Sequence, residues 1–326
     1  MNGFELLRCP SCRARLSFSS SEPLAAAASA GWLSCRDCGS KYPVRCGIPR
    51  FVAEHYADNF TLEWNRHRRT QFDENSRSLS SRQFYDISRW RPDELAGKLV
   101  LDIGCGSGRF SEVALKAGAR VVAVDLSEAV DVARENLTAF SEFMPVQADI
   151  LHLPFPANTF DFVFCIGVLQ HTPKPYQALR CLLPLAKEDG GRFAVWFYER
   201  SILGFWHARF YWRWLLTKIP PEKLYRLVSW YVPKLLPWQR ELVRIPWLGP
   251  KLNERFIPVA NRDAFSQEEK TRIEMAILDT YDWFSPKYDK PLKTKKVASI
   301  VQEYGYTELR MLLRGAVTAR RKTCVA

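Results

Sequence analysis

The sequence predicts an α/β fold built around a parallel β-sheet. An apolar run at 99–101 leads through a glycine-rich segment, 102–108, into a helical pattern at 110–117. Apolar runs rich in valine and phenylalanine then alternate with helical patterns over 119–198. Alternation of this kind is typical of parallel sheets whose strands are joined by helical crossovers. We therefore expect one open sheet that is covered by helices.

The glycine-rich segment has the features of a loop that binds a small molecule through its backbone. Glycine recurs at Gly104, Gly106 and Gly108, and glycine allows positive φ angles and close approach of a ligand. The spacing is G-x-G-x-G, whereas dinucleotide-binding loops have G-x-G-x-x-G. Asp102 precedes the glycines, and a carboxylate at this place would repel a pyrophosphate. Both departures favour a ligand that presents an amine.

The pattern Asp102-x-Gly104-x-Gly106-x-Gly108 resembles motif I of the class I S-adenosylmethionine-dependent methyltransferases. The resemblance implies a Rossmann-like seven-stranded sheet and S-adenosylmethionine as the cofactor. It also implies that the loop, including Cys105, wraps the methionine half of the cofactor. The ammonium and sulfonium groups of that half would both suit a nearby carboxylate.

Two further acidic residues follow apolar runs in the order that this family uses. Asp125 ends the run 119–125 and can accept hydrogen bonds from both ribose hydroxyls of a nucleoside; with Leu126 it resembles motif II. Asp149, followed by Ile150, corresponds to the position whose carboxylate meets the adenine amino group in the family. The alternative for Asp149 is a turn or helix cap.

The fourth apolar run ends in a segment that the fold class brings near the reactive methyl group. Ligands of open α/β sheets lie over the carboxyl ends of the strands, so Ile166 to His171 should face the methyl group. His171 is the candidate general base because imidazole has an unperturbed pKa near about 6.5. The alternative is that His171 packs against the cofactor or hydrogen-bonds the backbone.

Four cysteines near the N-terminus have the spacing of a metal site. Cys9 and Cys12 form one C-x-x-C pair and Cys35 and Cys38 form another, with 22 residues between the pairs. Two such pairs suit tetrahedral zinc, and four thiolates leave no open coordination position, so the zinc would be structural. The segment 6–51 resembles the small zinc-ribbon domain of the tRNA-methyltransferase activator family.

Composition bounds the size, charge and compartment of the chain. The 326 residues fit about two domains. The net charge is +12, and the excess lies at 200–257, with eleven Lys/Arg against three Glu, and at 290–326, with nine against two. We find neither a secretory leader nor an apolar segment of membrane-spanning length, so we expect a cytoplasmic protein. Its nine cysteines are then expected as thiols or metal ligands.

The motifs divide the chain into five expected parts. These are a zinc-ribbon domain at 1–52, a helical cover at 53–96, the S-adenosylmethionine-binding core at 97–198, a helical insertion at 199–289, and a closing helix with a β-hairpin at 290–326. The cover contains basic and aromatic residues at 63–71, and a nucleic-acid arm is the alternative reading of that stretch. His67, within it, is expected to be solvated.

The insertion carries seven of the eleven tryptophans and includes the basic stretch 200–257. Apolar residues recur at helical spacing from Ile202 to Phe210, with Arg209 and Arg213 between apolar neighbours. Such a segment fits a lid over a substrate pocket, an amphipathic helix on a membrane surface, or a surface that stacks nucleic-acid bases. We favour the lid. Tyr288 and Asp289, where the chain returns to the core, could reach the pocket or form a tight turn.

These features lead to three functional hypotheses. The first is an S-adenosylmethionine-dependent methyltransferase that acts on a small-molecule or lipid-like acceptor. The second is an rRNA or tRNA methyltransferase, because a zinc ribbon and basic surface also occur in RNA-modifying enzymes. The third is a non-catalytic cofactor-binding adaptor that holds a protein partner through the ribbon, and the intact motifs argue against it. The resemblance is specific for the cofactor and leaves the acceptor atom (O, N or C) open.

Overall fold

The structure is a computed structural model that describes residues 3–20, 30–52, 58–76, 78–200, 207–260, 268–312 and 315–322. The start of the helix expected from Ile202, with Phe205 and Trp206, lies outside these residues. None of the described helices is long and apolar enough to cross a membrane.

The N-terminal part forms a four-stranded antiparallel sheet. Its strands follow one another in chain order: β1 (Leu16–Ser20), β2 (Ala30–Cys35), β3 (Lys41–Arg45) and β4 (Ile48–Pro49). The two-residue turn between β3 and β4 consists of Cys46 and Gly47, with φ of 51° and 71°. Positive φ at both positions is the geometry of a hairpin turn that matches strand twist.

Helices of the predicted cover follow this sheet. They are α1 (Asp58–Arg66), α2 (Asp73–Ser76), α3 (Leu79–Ser88) and the single turn α4 (Pro92–Leu95). Phe84 of α3 is fully buried and meets Trp90 and Phe164 edge to face. This aromatic contact fixes α3 against the central sheet.

The central part alternates strands and helices as the sequence predicts. The elements are β5 (Leu99–Ile103), α5 (Arg109–Lys116), β6 (Arg120–Asp125), α6 (Ala129–Asn136), β7 (Phe143–Gln147), β8 (Phe162–Ile166), α7 (Pro175–Leu182) and β9 (Arg192–Trp196). All five residues of β8 are buried, because helices cover both faces of the sheet.

Four helices occupy the described residues of the insertion. They are α8 (Ala208–Leu216), α9 (Pro221–Val243), α10 (Leu248–Phe256) and α11 (Glu269–Phe284). Residues of α9 and α11, among them Leu224, Val228, Tyr281 and Phe284, form a hydrophobic cluster separate from the two clusters of the central sheet.

The chain then returns to complete the central sheet with α12 (Thr294–Glu303), β10 (Arg310–Leu312) and β11 (Ala316–Arg320). The strand order is β10-β11-β9-β8-β5-β6-β7, and β11 is antiparallel to both neighbours. The predicted seven-stranded α/β sheet is thus confirmed. Strand β7 ends at Gln147, so Asp149 and Ile150 lie in the segment that follows it.

The N-terminal sheet is anchored to the outer edge of the central sheet. Phe51 N–H donates to the Gln147 carbonyl at 2.8 Å, which gives strand β7 a backbone partner on its free side. The Arg50 guanidinium donates to both oxygens of Asp131, at 2.6 and 3.1 Å, and to Gln147 Oε1 at 2.8 Å. The Arg50 side chain is only 13% exposed, so this bidentate pair is partly desolvated.

We expect Arg50→Ala to lower the free energy of unfolding by about 1 to 3 kcal/mol, because it leaves Asp131 and Gln147 without a charged donor. Arg120→Ala is a matched control, since its pair with Glu142 has side chains 48% and 49% exposed and should contribute below about 1 kcal/mol. Urea unfolding of both variants measures the difference. Equal losses would contradict the anchoring role of Arg50.

Candidate functional site

A cavity of about 1230 Å³ lies over the carboxyl ends of β5, β6, β8 and β9. Residues of α1, α3 and α11 complete its wall, so the cover and the insertion both take part in it. Seven of the sequence-predicted residues line the cavity: Gly104, Cys105, Asp125, Leu126, Ile150, Ile166 and His171. The four others, Asp102, Gly106, Gly108 and Asp149, are outside its wall.

The glycine loop has the backbone that its sequence suggests. Gly104, Gly106 and Gly108 have φ angles of 74°, 52° and 91°, values that residues with a Cβ rarely adopt. A Cβ on Gly104 would lie 2.2 Å from Val168 Cγ2, and one on Gly106 would lie 2.7 Å from the Trp64 ring. Close packing therefore requires glycine at both positions, and Trp64 brings the cover directly against the loop.

Asp125 closes the loop from the end of β6. Its Oδ2 accepts the Gly106 N–H at 3.0 Å, and its Oδ1 accepts the N–H and the hydroxyl of Ser127 at 2.9 and 2.8 Å. Burial raises the pKa of this carboxyl despite these hydrogen bonds. Because a carboxylate has about four acceptor sites, Asp125 can still accept donors from a ligand in the cavity.

Asp102 lies behind the loop, although the sequence suggested that it would contact the ligand's charge. Its Oδ2 accepts the Ser111 hydroxyl at 2.7 Å, and the residue is 2% exposed. Burial raises the pKa of Asp102 to about 7. The carboxyl therefore holds α5 against β5, and its charge acts on the cavity only through the loop.

Asp149 occupies a turn after β7. Its Oδ1 accepts the Leu151 N–H at 3.0 Å, and its Oδ2 lies 3.4 Å from His152 Nδ1. This is the capping geometry that the sequence left as the alternative. The neighbouring Ile150, 6% exposed, lines the cavity instead.

The Cys105 thiol lines the cavity but is not a nucleophile in this arrangement. The residue is 5% exposed, and burial raises the pKa of its thiol well above the usual range. Since the thiolate is the reactive form, Cys105 serves as a small apolar wall residue.

His171 lies in a short 3₁₀ turn, Leu169–His171, and lines the cavity. Its Nδ1 is 3.1 Å from the Tyr288 carbonyl, which can only accept, so Nδ1 carries the proton. Its Nε2 is buried and has no hydrogen-bond partner among the described residues. Burial lowers the pKa of His171, so the neutral ring with a bare Nε2 is favoured.

Two residues that sequence reasoning missed line the cavity beside His171. Tyr198 Oη donates to Asp282 Oδ2 at 2.8 Å, and Asp282 Oδ1 lies 3.8 Å from His171 Nε2. The pKa of Tyr198 is raised well above its usual value by burial and by Asp282, so the phenol stays protonated. Tyr198 comes two residues after the end of β9, and Asp125 stands at the end of β6. A polar residue at the carboxyl end of a strand is the sequence signal that could identify Tyr198.

A buried carboxyl, Glu63 of α1, faces the same space. It is 2% exposed, and its Oε2 has no hydrogen-bond partner among the described residues. Burial, followed by repulsion from Asp282, Asp279 and Asp125, raises its pKa well above the usual range. The cover therefore contributes a polar group to the cavity as well as apolar surface.

Basic residues lie on the α3 side of the same cavity. Arg82, Arg89 and Arg109 line it, and Arg109 donates to Gln83 Oε1 at 3.1 Å. Burial lowers the pKa of Arg109 to about 10, which still leaves it cationic at neutral pH. The cavity thus holds both carboxyl groups and guanidinium groups.

Three further residues named from the sequence, Asp289, Tyr288 and His67, do not line the cavity. Asp289 does not line the cavity; its side chain is 1% exposed and pairs with Arg209 at 2.6 Å. Tyr288 contributes its carbonyl to His171 rather than its ring. The expectation that His67 is solvated is wrong, because Tyr225 of α9 covers it and lies 3.0 Å from its Nε2.

The four N-terminal cysteines converge on one point. The Sγ atoms of Cys9, Cys12, Cys35 and Cys38 lie within 4.8 Å of one another. Two of the separations are 3.5 Å (Cys9 to Cys38) and 3.4 Å (Cys12 to Cys35). Four sulfurs at about 2.3 Å from a tetrahedral zinc would be about 3.8 Å apart, so the cluster has the dimensions of a zinc site.

Part of the chain is similar in sequence to known methyltransferases. A family model described as a methyltransferase domain matches residues 101–194. The chain is 37% identical over 103 residues to a ubiquinone biosynthesis O-methyltransferase of Stutzerimonas stutzeri (strain A1501), covering 30% of this chain and 44% of the relative. It is 39% identical over 101 residues to the enzyme of that name from Coxiella burnetii (strain Dugway 5J108-111), covering 30% and 43%.

The chain thus spans less than half the length of these relatives. Among solved structures, a SAM-dependent methyltransferase from Aquifex aeolicus aligns with 82% of this chain and 98% of its own, at 14% identity and a TM-score of 0.39. The matched segment 101–194 contains the loop, Asp125 and His171.

The raised pKa of Asp102 predicts a pH-dependent stability. Between about pH 4, where an unfolded aspartate titrates, and pH 7 the folded chain binds more protons than the unfolded chain, so the free energy of unfolding falls as pH rises. Asp102→Asn lacks this titration. Its stability relative to the wild type should increase by about 2 kcal/mol from pH 5 to pH 7 and then level off.

Thermal unfolding of both proteins at pH 5, 6, 7 and 8 measures this difference, with the exposed Asp189→Asn as control. A variant-to-wild-type difference that stays constant over this range would show that Asp102 is ionised throughout.

Proposed function

We propose that this chain is an S-adenosylmethionine-dependent methyltransferase with a small-molecule acceptor. The observation that carries the proposal is the cavity itself. One end of it has the left-handed glycine loop and Asp125, and the other end has His171, Tyr198 and Asp282. The match of 101–194 to a methyltransferase domain supports this assignment.

The residues at the loop end fit the cofactor. The loop backbone from Gly104 would meet the methionine half, and Asp125 would accept the ribose hydroxyls. Leu126 and Ile150 would pack against the adenine, with Asp149 at the edge of the ring. Arg82 and Arg109 line the cavity and would be available to pair with the cofactor's carboxylate. When bound, S-adenosylmethionine supplies a methyl group on an electrophilic sulfonium.

The size and charge of the cavity favour a small acceptor over RNA. Ligand pockets usually measure about 300 to 1,000 Å³. A cavity of about 1230 Å³ can hold the cofactor with a small second molecule. Asp279 and Asp282 of α11 line the cavity, and carboxylates there would repel a phosphate backbone.

His171 is the proposed general base. Its Nδ1–H is held by the Tyr288 carbonyl, so the lone pair of Nε2 is available to take a proton from an acceptor. Asp282, 3.8 Å from Nε2, would stabilise the imidazolium that forms. A hydroxyl acceptor fits this chemistry, and the curated relatives are O-methyltransferases by name.

We also propose that residues 1–52 form a structural zinc ribbon like that of the tRNA-methyltransferase activators. The donor set supports this, because four thiols meet at one point and Tyr42 Oη and Ser40 Oγ lie 3.3 and 3.2 Å from Cys9 and Cys38. Hydroxyl donors of this kind orient metal-bound thiolates. The rest of the proposed organisation is the helical cover at 53–96, the core at 97–198, the insertion at 199–289, and the closing helix and hairpin at 290–326.

His171→Asn tests the role of the base. Asparagine can keep a donor near the Tyr288 carbonyl but cannot take up a proton, so we expect kcat to fall by about 10² to 10⁴ with cofactor affinity within about threefold. Labelled S-adenosylmethionine with a panel of phenols, amines and thiols identifies the fastest acceptor for the assay. Calorimetry measures cofactor binding.

The pH profile separates catalysis from packing. Because the pKa of His171 is lowered, the wild-type rate should be constant at neutral pH and fall only on the acid side, and the variant should lose this acid limb. His152→Asn, an exposed histidine, is the control. A variant that keeps full kcat would assign His171 to packing, and no cofactor binding at millimolar concentration would exclude the methyltransferase proposal.

Cys12→Ser tests the zinc site. Loss of one of four ligands should lower the zinc content from about one per chain to a small fraction and lower the melting temperature of the protein. Cys46→Ser should retain the metal, since Cys46 is outside the cluster. Mass spectrometry under native conditions measures the metal content. A wild-type protein purified without metal and unaffected by chelators would contradict the proposal.

A further inference from the structure

The insertion exposes large aromatic side chains that the cavity does not use. Trp214, Trp230, Trp238 and Trp247 are 72%, 63%, 75% and 88% exposed. None of them lines the cavity. Single exposed apolar residues are common on proteins, but a concentration of tryptophans in one helical segment marks an interaction surface.

Helix α9 has one buried side and one exposed side, and its tryptophans lie on the exposed side. Leu224, Val228, Val232 and Leu236 recur every four residues and are at most 3% exposed. Positions 227, 230, 234 and 238 fall on the opposite side of a helix that turns about 100° per residue. Leu227 and Trp238 are exposed there together with Trp230 and Lys234. The buried stripe holds α9 on α11, while the side chains at the four outer positions remain exposed.

The outer side of this segment is also basic. Residues 207–260 contain ten Lys/Arg against three Glu. Two of the lysines lie over tryptophan rings: Lys234 is 3.8 Å from the centroid of Trp230, and Lys218 is 4.5 Å from that of Trp214. Tryptophan and lysine are thus paired at the surface, with the ammonium groups exposed beside the rings.

We propose that the outer side of α9 and the turn that joins it to α10 bind the surface of a membrane that contains anionic lipids. We call this surface the docking face and define it by Leu227, Trp230, Lys234, Trp238 and Trp247. Its apolar rings would enter the boundary between headgroups and acyl chains, while its lysines meet lipid phosphates. The helix would lie in the plane of the interface, because its exposed tryptophans and lysine share one side while its other side is buried against α11.

The aliphatic residues favour a membrane over RNA. Ile245 and Leu248, on either side of Trp247 in the α9 to α10 turn, are 49% and 56% exposed. Aliphatic chains gain by entering the acyl region but cannot stack on bases. Tryptophan prefers the membrane interface because its ring is apolar and its N–H is polar. The excess of cations matches an anionic surface and opposes self-association through the same face.

Helix α11 lies between the docking face and the cavity. It packs against the buried side of α9 and contributes Leu278, Asp282 and Trp283 to the cavity wall. The docking face itself contributes no residue to that wall. The membrane contact itself does not depend on the proposed methyl transfer, and it is tested without a substrate.

The test is co-sedimentation of the full chain with vesicles of phosphatidylcholine, alone or with about one quarter phosphatidylglycerol. We expect binding to the mixed vesicles that weakens with salt. Trp230→Ser with Trp238→Ser should weaken it at least about tenfold. Trp32→Ser, which removes a 46% exposed tryptophan of β2, is the matched control and should bind as the wild type does.

Charge is tested separately. Lys223→Glu with Lys234→Glu should abolish the preference for phosphatidylglycerol, whereas Lys41→Glu, an exposed lysine of β3, should leave it unchanged. Circular dichroism confirms that each variant is folded. The proposal is overturned by equal binding of wild type and tryptophan variants, by total RNA that binds in preference to mixed vesicles, or by a dimer that dissociates when Trp230 and Trp238 are replaced.

Discussion

The site depends on how the end of β6 holds the loop that leaves β5. The Val124 carbonyl accepts the N–H groups of Gly104 and Cys105 at 2.7 and 3.0 Å, and the Asp125 carboxylate accepts that of Gly106 at 3.0 Å. Three successive donors of the loop are therefore turned toward β6. The loop can satisfy all three only with positive φ at Gly104 and Gly106, so glycine and carboxylate are required together.

This arrangement buries three carboxyl groups before any ligand is present. Burial raises the pKa values of Asp102, Asp125 and Glu63, and repulsion from Asp125 adds to the rise for Glu63. Ionising these groups in the free protein is therefore unfavourable. A ligand that carries positive charge would relieve the repulsion between ionised carboxylates, and this would favour the sulfonium and ammonium groups of the proposed cofactor over a neutral nucleoside. The same argument explains why Asp102 can contribute without touching the ligand.

The loop end of the site and His171 could be predicted from the sequence, whereas the acidic residues near His171 could not. Gly104, Asp125 and Ile166 are recognisable because each follows an apolar strand in a parallel sheet, where strand ends meet along one edge. Glu63 and Asp282 lie within helices, and the residues around them in the sequence do not distinguish them from acidic residues on a solvent-exposed helix face. Only packing of α1 and α11 over the sheet buries them. His67 was misjudged for this reason, because its covering residue, Tyr225, lies 158 positions away.

The insertion is part of the site as well as its cover. The proton on His171 Nδ1 is fixed by the Tyr288 carbonyl, which belongs to the segment where the insertion rejoins the core. The next residue, Asp289, is anchored to Arg209 at the start of α8 by an ion pair with side chains 1% and 10% exposed. Breaking a buried pair of this kind leaves an uncompensated charge. Displacement of the insertion would therefore release the histidine ring and remove Asp282 at the same time, so the orientation of His171 depends on the insertion staying in place.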